Sequence, residues 1–230
     1  MKLLDELIDF LFPKTCIITG ELIDENNSNP YISDDNLALL NRITEADKLE
    51  LNDKTDSDFS ISLFAFREND DFSKIIYQLK YAGMKNLGIF LGNLLGEEIL
   101  RYYGKNNMNS KDILAPVPLF KSKKRERGYN QSEYICKGIN EVLNIDFIPD
   151  LLIRIKNTNT QTRLNRHQRQ KNVKDAFKIN DKFKSVIKNG NVFLIDDVIT
   201  TGSTINEAIK LLKLHRAGVI TACTLAMARD

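Results

Sequence analysis

The chain has 230 residues, of which 42% are hydrophobic and 28% are charged, and its formal net charge is +2. This length can hold one α/β domain with a modest extension, and a charge so near zero indicates no particular class of partner. Three widely separated cysteines, at positions 16, 136 and 223, exclude a disulfide scaffold and are typical of a reducing cytoplasm. No window has the length and apolarity of a membrane span, and acidic residues interrupt the N-terminal leucines, unlike a signal peptide. We therefore expect a cytoplasmic protein.

The first 58 residues are predicted to form an irregular extension rather than an independent domain. Apolar residues at helical spacing predict a helix over residues 2–12, which Pro13 ends. Residues 30–58 are acidic and mixed, with one short helix expected at 35–42. The main domain is expected to occupy residues 59–230.

The main domain shows strand patterns separated by helix patterns. Strands are expected at 59–66, 113–119, 147–155, 173–179, 192–195 and 218–226. Helices are expected at about 71–81, 86–103, 131–143 and from 205 onwards, whereas 121–127 and 156–172 are expected to be basic loops. This order predicts an α/β fold with a central, mostly parallel open sheet flanked by helices.

One predicted helix carries a ridge of glycines. Gly88, Gly92 and Gly96 stand at every fourth place of the helix over residues 86–103. Such a ridge can join membrane helices, but the charged residues of the same helix argue against a membrane position. We expect close packing of this helix on a neighbouring helix.

The most informative stretch is residues 191–204. Four apolar residues at 192–195 predict a buried parallel strand, and Asp196 and Asp197 follow at its carboxyl end. The loop after them is rich in hydroxyl groups and opens into a helix. Backbone N–H groups of such a loop and of the first helical turn, with hydroxyl donors beside them, can hold a phosphate group. The predicted phosphate ligands are Thr200, Thr201, Gly202, Ser203 and Thr204, with Val198 beside them.

The two adjacent acids would repel a phosphate unless something neutral or cationic satisfies them. A sugar diol, with or without Mg²⁺, does so, and a phosphate with a diol describes a ribose 5-phosphate. The simpler alternative is a strand-to-helix turn in which Asp and Thr residues only cap the helix.

Two basic stretches flank this motif in sequence. Five cations lie within residues 121–127, and residues 151–174 contain seven cations and no acid. Three explanations stay open: solvated loops, contact with nucleic-acid phosphates, or stabilisation of a pyrophosphate leaving group. Tyr129, beside the first stretch, is a candidate for stacking on a base.

Residues 192–204 resemble the phosphoribosyl pyrophosphate (PRPP) loop of type I phosphoribosyltransferases. A closer resemblance, to the ComF (GntX-like) family of amidophosphoribosyltransferase-related proteins, includes further motifs in the same order. These are 79–83, 116–119, 127–131, and a spaced set comprising Thr158, Gln161, Leu164, Arg169, Asn172, Ala176 and Phe177. The resemblance covers about residues 59–228 and implies a type I phosphoribosyltransferase fold. It also implies an accessory role in importing single-stranded DNA during natural transformation, beside a helicase.

The resemblance also implies roles for individual residues. Asp196 and Asp197 would hold the ribose hydroxyls, or Mg²⁺ through ribose or water, and residues 200–204 the 5′-phosphate. The implied pyrophosphate ligands are Leu119, Phe120, Lys121, Arg125, Arg127, Gln161 and Arg169. If the protein is an enzyme, Asp196, Asp197, Arg127 and Arg169 are the candidate catalytic residues, and the reaction displaces pyrophosphate at the anomeric carbon. The alternative to an accessory in DNA uptake is an active phosphoribosyltransferase of nucleobase or nucleotide salvage.

One departure from the family concerns zinc. The family usually opens with a four-cysteine zinc ribbon, but Thr19 stands where the partner of Cys16 should be, and residues 20–50 contain no cysteine. One thiolate cannot make a tetrahedral structural zinc site. We expect Mg²⁺ as cofactor and no zinc.

Overall fold

The structure is a computed structural model that describes residues 13–157 and 173–229. Its helices are α1 (Asp34–Leu39), α2 (Glu45–Lys54), α3 (Asp71–Tyr81), α4 (Lys85–Tyr103), α5 (Lys121–Arg127), α6 (Gln131–Leu143), α7 (Lys184–Ile187) and α8 (Ser203–Leu214). Its strands are β1 (Phe59–Phe66), β2 (Asp112–Pro116), β3 (Asp146–Phe147), β4 (Leu152–Arg154), β5 (Phe177–Ile179), β6 (Asn191–Ile199) and β7 (Ile220–Ala228). The helix predicted over residues 2–12 and most of the predicted loop at 156–172 lie outside the described residues.

Five strands form the main sheet in the order β1-β7-β6-β2-β3. Every pair of neighbours is parallel, which confirms the predicted α/β fold. Because parallel strands end at the same edge of a sheet, the segments that follow β1, β2, β6 and β7 meet there. The residues after β6 therefore lie beside residues that are far from them along the chain.

Apolar layers cover both faces of the sheet. Phe193 and Ile195 of β6 belong to a core that also includes apolar residues of α3, α4 and α6. Val192 and Leu194 belong to a second core with the inner face of α8. Burial on both faces explains why the strand is a continuous apolar run rather than an alternating one.

The glycine ridge packs α4 against α6. A Cβ added to Gly92 would lie 2.2 Å from the carbonyl oxygen of Ile135, and one added to Gly138 would lie 2.0 Å from that of Ile89. The two backbones thus approach too closely for any side chain at these positions. The predicted close helix packing is confirmed.

Several predicted elements have different limits. The stretch 121–127 is the short helix α5 rather than a loop. The strand predicted over 147–155 divides into β3 and β4, and β5 pairs antiparallel with β4 in a separate two-stranded sheet instead of joining the main one. Four residues, Ile148 to Leu151, separate β3 from β4. Pro149 and Asp150 are among them, and proline and aspartate interrupt strand pairing.

Residues 13–58 pack on the main sheet beside β1. Arg42 forms an antiparallel bridge with Phe64, and α2 opens with a capping box between Thr44 and Asp47. Arg229, just after β7, donates to both carboxylate oxygens of Asp47 at 2.8 and 2.7 Å. Helix α2 was not predicted from sequence, because two of its three buried residues, Asp47 and Lys54, are charged. A domain boundary at residue 59 stays a prediction.

Candidate functional site

The sheet opens at the point where β6 carries its two acids. Strand β6 continues its pairing with β7 as far as Ile199, but its pairing with β2 ends at Ile195, opposite Pro116. One further bond joins the N–H of Val117 to the carbonyl of Ile195 at 2.8 Å. Asp196 and Asp197 therefore lie within β6 rather than after it, beside a gap left by β2.

Each acid contacts a side chain from a helix on the same edge. The Asp197 carboxylate forms an ion pair with Lys80 Nζ at 3.0 Å, at the end of α3. Ser132, in the first turn of α6, donates its hydroxyl to Asp196 at 3.3 Å. The backbone N–H of Asp197 also donates to the Asp196 carboxylate at 2.9 Å.

Asp196 is half-buried beside the charge of Asp197. Burial and then the charge of Asp197 raise the pKa of Asp196 to about 7, although the N–H of Asp197 and the charges of Lys80 and Arg154 oppose the rise. A carboxyl group in this state gains from any added cation or hydroxyl donor. The pair is therefore an electrostatically strained site that a metal ion or a diol would relieve.

Cations from three separate segments surround the acids. Arg154, at the end of β4, is half-buried, and burial lowers its pKa while Asp196 raises it. Burial lowers the pKa of Lys123, and the charges of Arg154, Arg127 and Lys80 lower it further. These four cations therefore lie near one another at the edge that carries the acids. Such a grouping favours a ligand with several negative charges.

The loop after β6 leads directly into α8. Gly202 has φ +74° and is the N-cap of the helix, while the hydroxyls of Thr201 and Ser203 lie 2.9 Å apart. A Cβ on Gly202 would lie 1.9 Å from the carbonyl oxygen of Lys54. Gly202 is therefore required both by its left-handed backbone and by the close approach of α2. Sequence reasoning assigned this glycine to a ligand's approach and did not foresee the protein neighbour.

The remaining predicted ligands are distributed unevenly. Leu119 and Phe120 are half-buried in the connection from β2 to α5, Lys121 and Arg125 are exposed on α5, and Arg127 donates to Gln131 at 3.0 Å. Among these residues, Arg127 lies close enough to Lys123 for its charge to lower the pKa of that lysine. Gln161 and Arg169 lie outside the described residues.

The stacking role predicted for Tyr129 is wrong. Its side chain is 3% exposed and its hydroxyl donates to the carbonyl of Leu79. A buried ring that is fixed in this way has no free face for a base. No local pattern around Tyr129 indicates that its hydroxyl contacts α3, because Leu79 lies 50 residues earlier in the chain.

Three side chains at the site had no assigned role from sequence: Lys80, Ser132 and Arg154. Lys80 and Arg154 are far from Asp196 along the chain, so only the fold joins them. Arg154 does carry a local signal, because it is a lone charge at the end of an apolar strand. A charged side chain is rarely buried without a partner, and Arg154 also lies over the Phe177 ring, 5.3 Å from its centroid.

The front segment places polar groups around Cys16 instead of further cysteines. Ser33 Oγ lies 3.9 Å and Asn36 Nδ2 lies 3.8 Å from Cys16 Sγ. Burial raises the pKa of the thiol, but N–H groups of Ser33, Thr19 and Ile18 outweigh it and lower the pKa to about 7. Ser33 and Asn36 are three positions apart in the chain, as Cys16 and Thr19 are. We call these four residues the Cys16 cluster.

Within residues 13–157 and 173–229, no group of three or more His, Cys, Asp or Glu side chains is placed to hold a metal ion. No helix of that part of the chain is long and apolar enough to cross a membrane.

Comparison with known proteins identifies a phosphoribosyl transferase domain and several relatives. A model of the phosphoribosyl transferase domain matches residues 147–230. DNA utilization protein YhgH of Escherichia coli K12 is 29% identical over 148 residues, which are 64% of this chain and 63% of that protein. Competence protein F of Haemophilus influenzae is 39% identical over 106 residues, or 44% of each chain. Each match thus spans less than two thirds of the relative.

A solved structure called "Structure of the allosteric regulatory enzyme of purine biosynthesis" aligns with 64% of this chain and 29% of its own. Its TM-score is 0.40 at 15% identity, too low to add to the argument. The parallel sheet and the matched domain nevertheless define a type I phosphoribosyltransferase fold. Within that class, relatives named competence protein F, competence protein ComFC and DNA utilization protein YhgH support a likeness to the ComF family.

Proposed function

We propose that this protein binds PRPP or a ribose 5-phosphate, with Mg²⁺, at the open edge beside β6. The observation that carries the proposal is the strained pair of Asp196 and Asp197, which directly precedes a hydroxyl-rich loop and a helix N-terminus. A ribose diol with Mg²⁺ relieves the repulsion between the acids, and residues 200–204 suit a 5′-phosphate.

The donor set fits Mg²⁺. Carboxylates, hydroxyls and water are the ligands that this ion prefers, and Asp196 and Asp197 would hold it directly or through ribose hydroxyls. The ion would supply charge neutralisation between the acids and the anionic ligand. Lys80, Arg127 and Arg154 would supply the positive charge that the pyrophosphate half of PRPP needs.

We propose further that the protein is an accessory in DNA uptake. The support is the family and the names of two relatives, DNA utilization protein YhgH and competence protein F. Single-stranded DNA and an uptake helicase are the partners proposed on this basis. An active phosphoribosyltransferase of salvage is the competing function, and turnover of PRPP with an acceptor distinguishes it from the accessory role.

Titration calorimetry with PRPP tests the binding proposal. We expect the wild-type protein to bind PRPP more tightly with Mg²⁺ than without, and ribose 5-phosphate more weakly than PRPP. The double variant Asp196→Asn, Asp197→Asn should lose at least about 100-fold in affinity, because two ligands of the diol and metal are removed. Equal affinity of the folded double variant would reject the site.

Pyrophosphate release separates the two functions. PRPP is incubated with Mg²⁺ and a panel of nucleobases and amines, and released pyrophosphate is measured. Turnover with one acceptor would favour the salvage enzyme. Binding without turnover across the panel favours the accessory role.

A further inference from the structure

Helix α3 presents an aromatic stripe to solvent. Tyr77 and Tyr81 are four residues apart and therefore share one face of the helix. Their side chains are 60% and 58% exposed, and their ring centroids lie 5.1 Å apart at an interplanar angle of 47°. The opposite face of α3 supplies Phe72, Ile75, Ile76 and Leu79 to the core. The two tyrosines are thus not needed to hold the helix on the sheet.

Positive charge lies beside these rings. The Arg127 guanidinium, from the end of α5, is 5.5 Å from the centroid of the Tyr81 ring. Lys85, just beyond Tyr81 along the chain, is exposed, and its ammonium lies 5.6 Å from the ring of Tyr134. Arg127 thus places a cation directly against one of the two exposed rings.

Nearby acids are mostly neutralised by their own partners. Asp71, at the start of α3, pairs with Lys74 at 2.9 Å. Glu133, on α6, pairs with Lys124 at 2.6 Å. Glu126 of α5 is exposed and opposes the charge of Arg127. The positive charge of Arg127 beside the exposed rings favours an anionic partner.

We propose that Tyr77, Tyr81 and Arg127 form a platform for single-stranded nucleic acid. Bases of a single strand stack on exposed aromatic rings whatever their sequence, and each phosphate gains from a nearby cation. Two rings at the spacing of one helical turn suit a short stretch of unpaired bases, with Arg127 on the backbone. A duplex, whose bases are already stacked, has no faces to offer.

The platform adjoins the proposed ligand site. Tyr81 is the neighbour of Lys80, which holds Asp197 at 3.0 Å, and Arg127 is one of the cations that act on Lys123. The proposal deepens the DNA-handling part of the proposed function and rests on it. It also replaces the buried Tyr129 with two exposed tyrosines.

Fluorescence anisotropy with a labelled 15-nucleotide oligo(dT) tests the platform at several salt concentrations. We expect wild-type binding that weakens as salt rises. The variant Tyr77→Ala, Tyr81→Ala should bind about tenfold or more weakly, because alanine removes the stacking of bases. Its salt slope should stay unchanged, since no charge is removed. The variant Tyr77→Phe, Tyr81→Phe should keep wild-type affinity, because phenylalanine stacks equally well.

Tyr102→Ala is the matched control. Tyr102 is 55% exposed but lies on α4, where its ring contacts Phe59 and Tyr103. We expect it to bind oligo(dT) as the wild type does. A duplex of the same length should compete poorly with the single strand.

Two results would overturn the platform: no binding of oligo(dT) by the wild type at low salt, or equal binding by the alanine double variant. The second result would leave the tyrosines as a docking face for a protein. PRPP calorimetry on the same variants keeps the two proposals apart, because Tyr77 and Tyr81 have no part in the ribose-phosphate site. Normal PRPP binding with failed oligo(dT) binding rejects only the platform, and the converse rejects only the PRPP site.

Discussion

The edge of β6 and the Cys16 cluster both gather polar side chains, but they differ in what those side chains still need. Around Cys16, donors from Thr19, Ser33 and Asn36 meet one sulfur, so the thiolate is stabilised by the protein itself. At β6, burial and then the charge of Asp197 raise the pKa of Asp196 to about 7. This difference shows that a cluster of polar residues does not by itself indicate a ligand site. A buried acid whose pKa is raised by its surroundings is the stronger indication.

The ion pair between Lys80 and Asp197 should give the largest effect on stability. The side chains of both residues are mostly buried, at 23% and 12% exposure. Lys80→Met leaves Asp197 beside Asp196 without its cation, so we expect a loss of about 2 to 3 kcal/mol in the free energy of unfolding. Urea denaturation at pH 7 measures this loss.

A double-mutant cycle provides the control for that ion pair. In the Asp197→Asn background, Lys80→Met should cost much less, because the charge that it leaves unpaired is gone. Lys48→Met removes an exposed pair with Glu45 and should change stability by less than about 0.5 kcal/mol. An equal cost of Lys80→Met in both backgrounds would show that the pair is not coupled.

Asp196→Asn should stabilise the unliganded protein at high pH. The native pKa is raised from 3.8 to about 7, so ionisation favours the unfolded chain as pH rises between these values. Each pKa unit corresponds to about 1.4 kcal/mol, and we expect roughly 2 kcal/mol of extra stability at pH 8, because partial exposure reduces the penalty. At pH 4 the variant and the wild type should differ little. Urea denaturation at both pH values tests this, and equal stability at pH 8 would contradict it.

The Cys16 cluster should show the opposite dependence on pH. The thiol pKa is lowered from 9.0 to about 7, so the cluster adds stability above the unfolded value and loses it as pH falls through about 7. Between pH 7 and 9 we expect the wild type to gain about 1 kcal/mol relative to Cys16→Ala. A constant difference between the two proteins across this range would show that the sulfur stays protonated.

Zinc analysis should show the smallest effect. Elemental analysis of the purified protein should find well under one zinc ion per chain, and a chelator should leave the melting temperature unchanged. The reason is that Thr19, Ser33 and Asn36 offer Cys16 hydrogen-bond donors instead of thiolates. Stoichiometric zinc would mean that ligands outside the cluster had been overlooked.

Local signals predicted much of this molecule. The apolar run before Asp196, the hydroxyl-rich loop after Asp197 and the glycine ridge of α4 are each contained within a few residues, so their patterns are visible in sequence. No role at the site was predicted for Lys80 and Arg154, because only the parallel order of the strands brings them to Asp196. Tyr129 was misassigned for the related reason that burial depends on which helix covers a residue.

The central claim is that Asp196 and Asp197 lower the stability of the unliganded protein and that PRPP with Mg²⁺ binds to them. Thermal unfolding at pH 8 of wild type and Asp196→Asn, each with and without PRPP and Mg²⁺, tests both halves together. We predict that the variant melts at a higher temperature without ligand, and that ligand raises the melting temperature of the wild type by several degrees but barely moves that of the variant. Equal ligand shifts in the two proteins, with equal unliganded melting temperatures, would contradict the account.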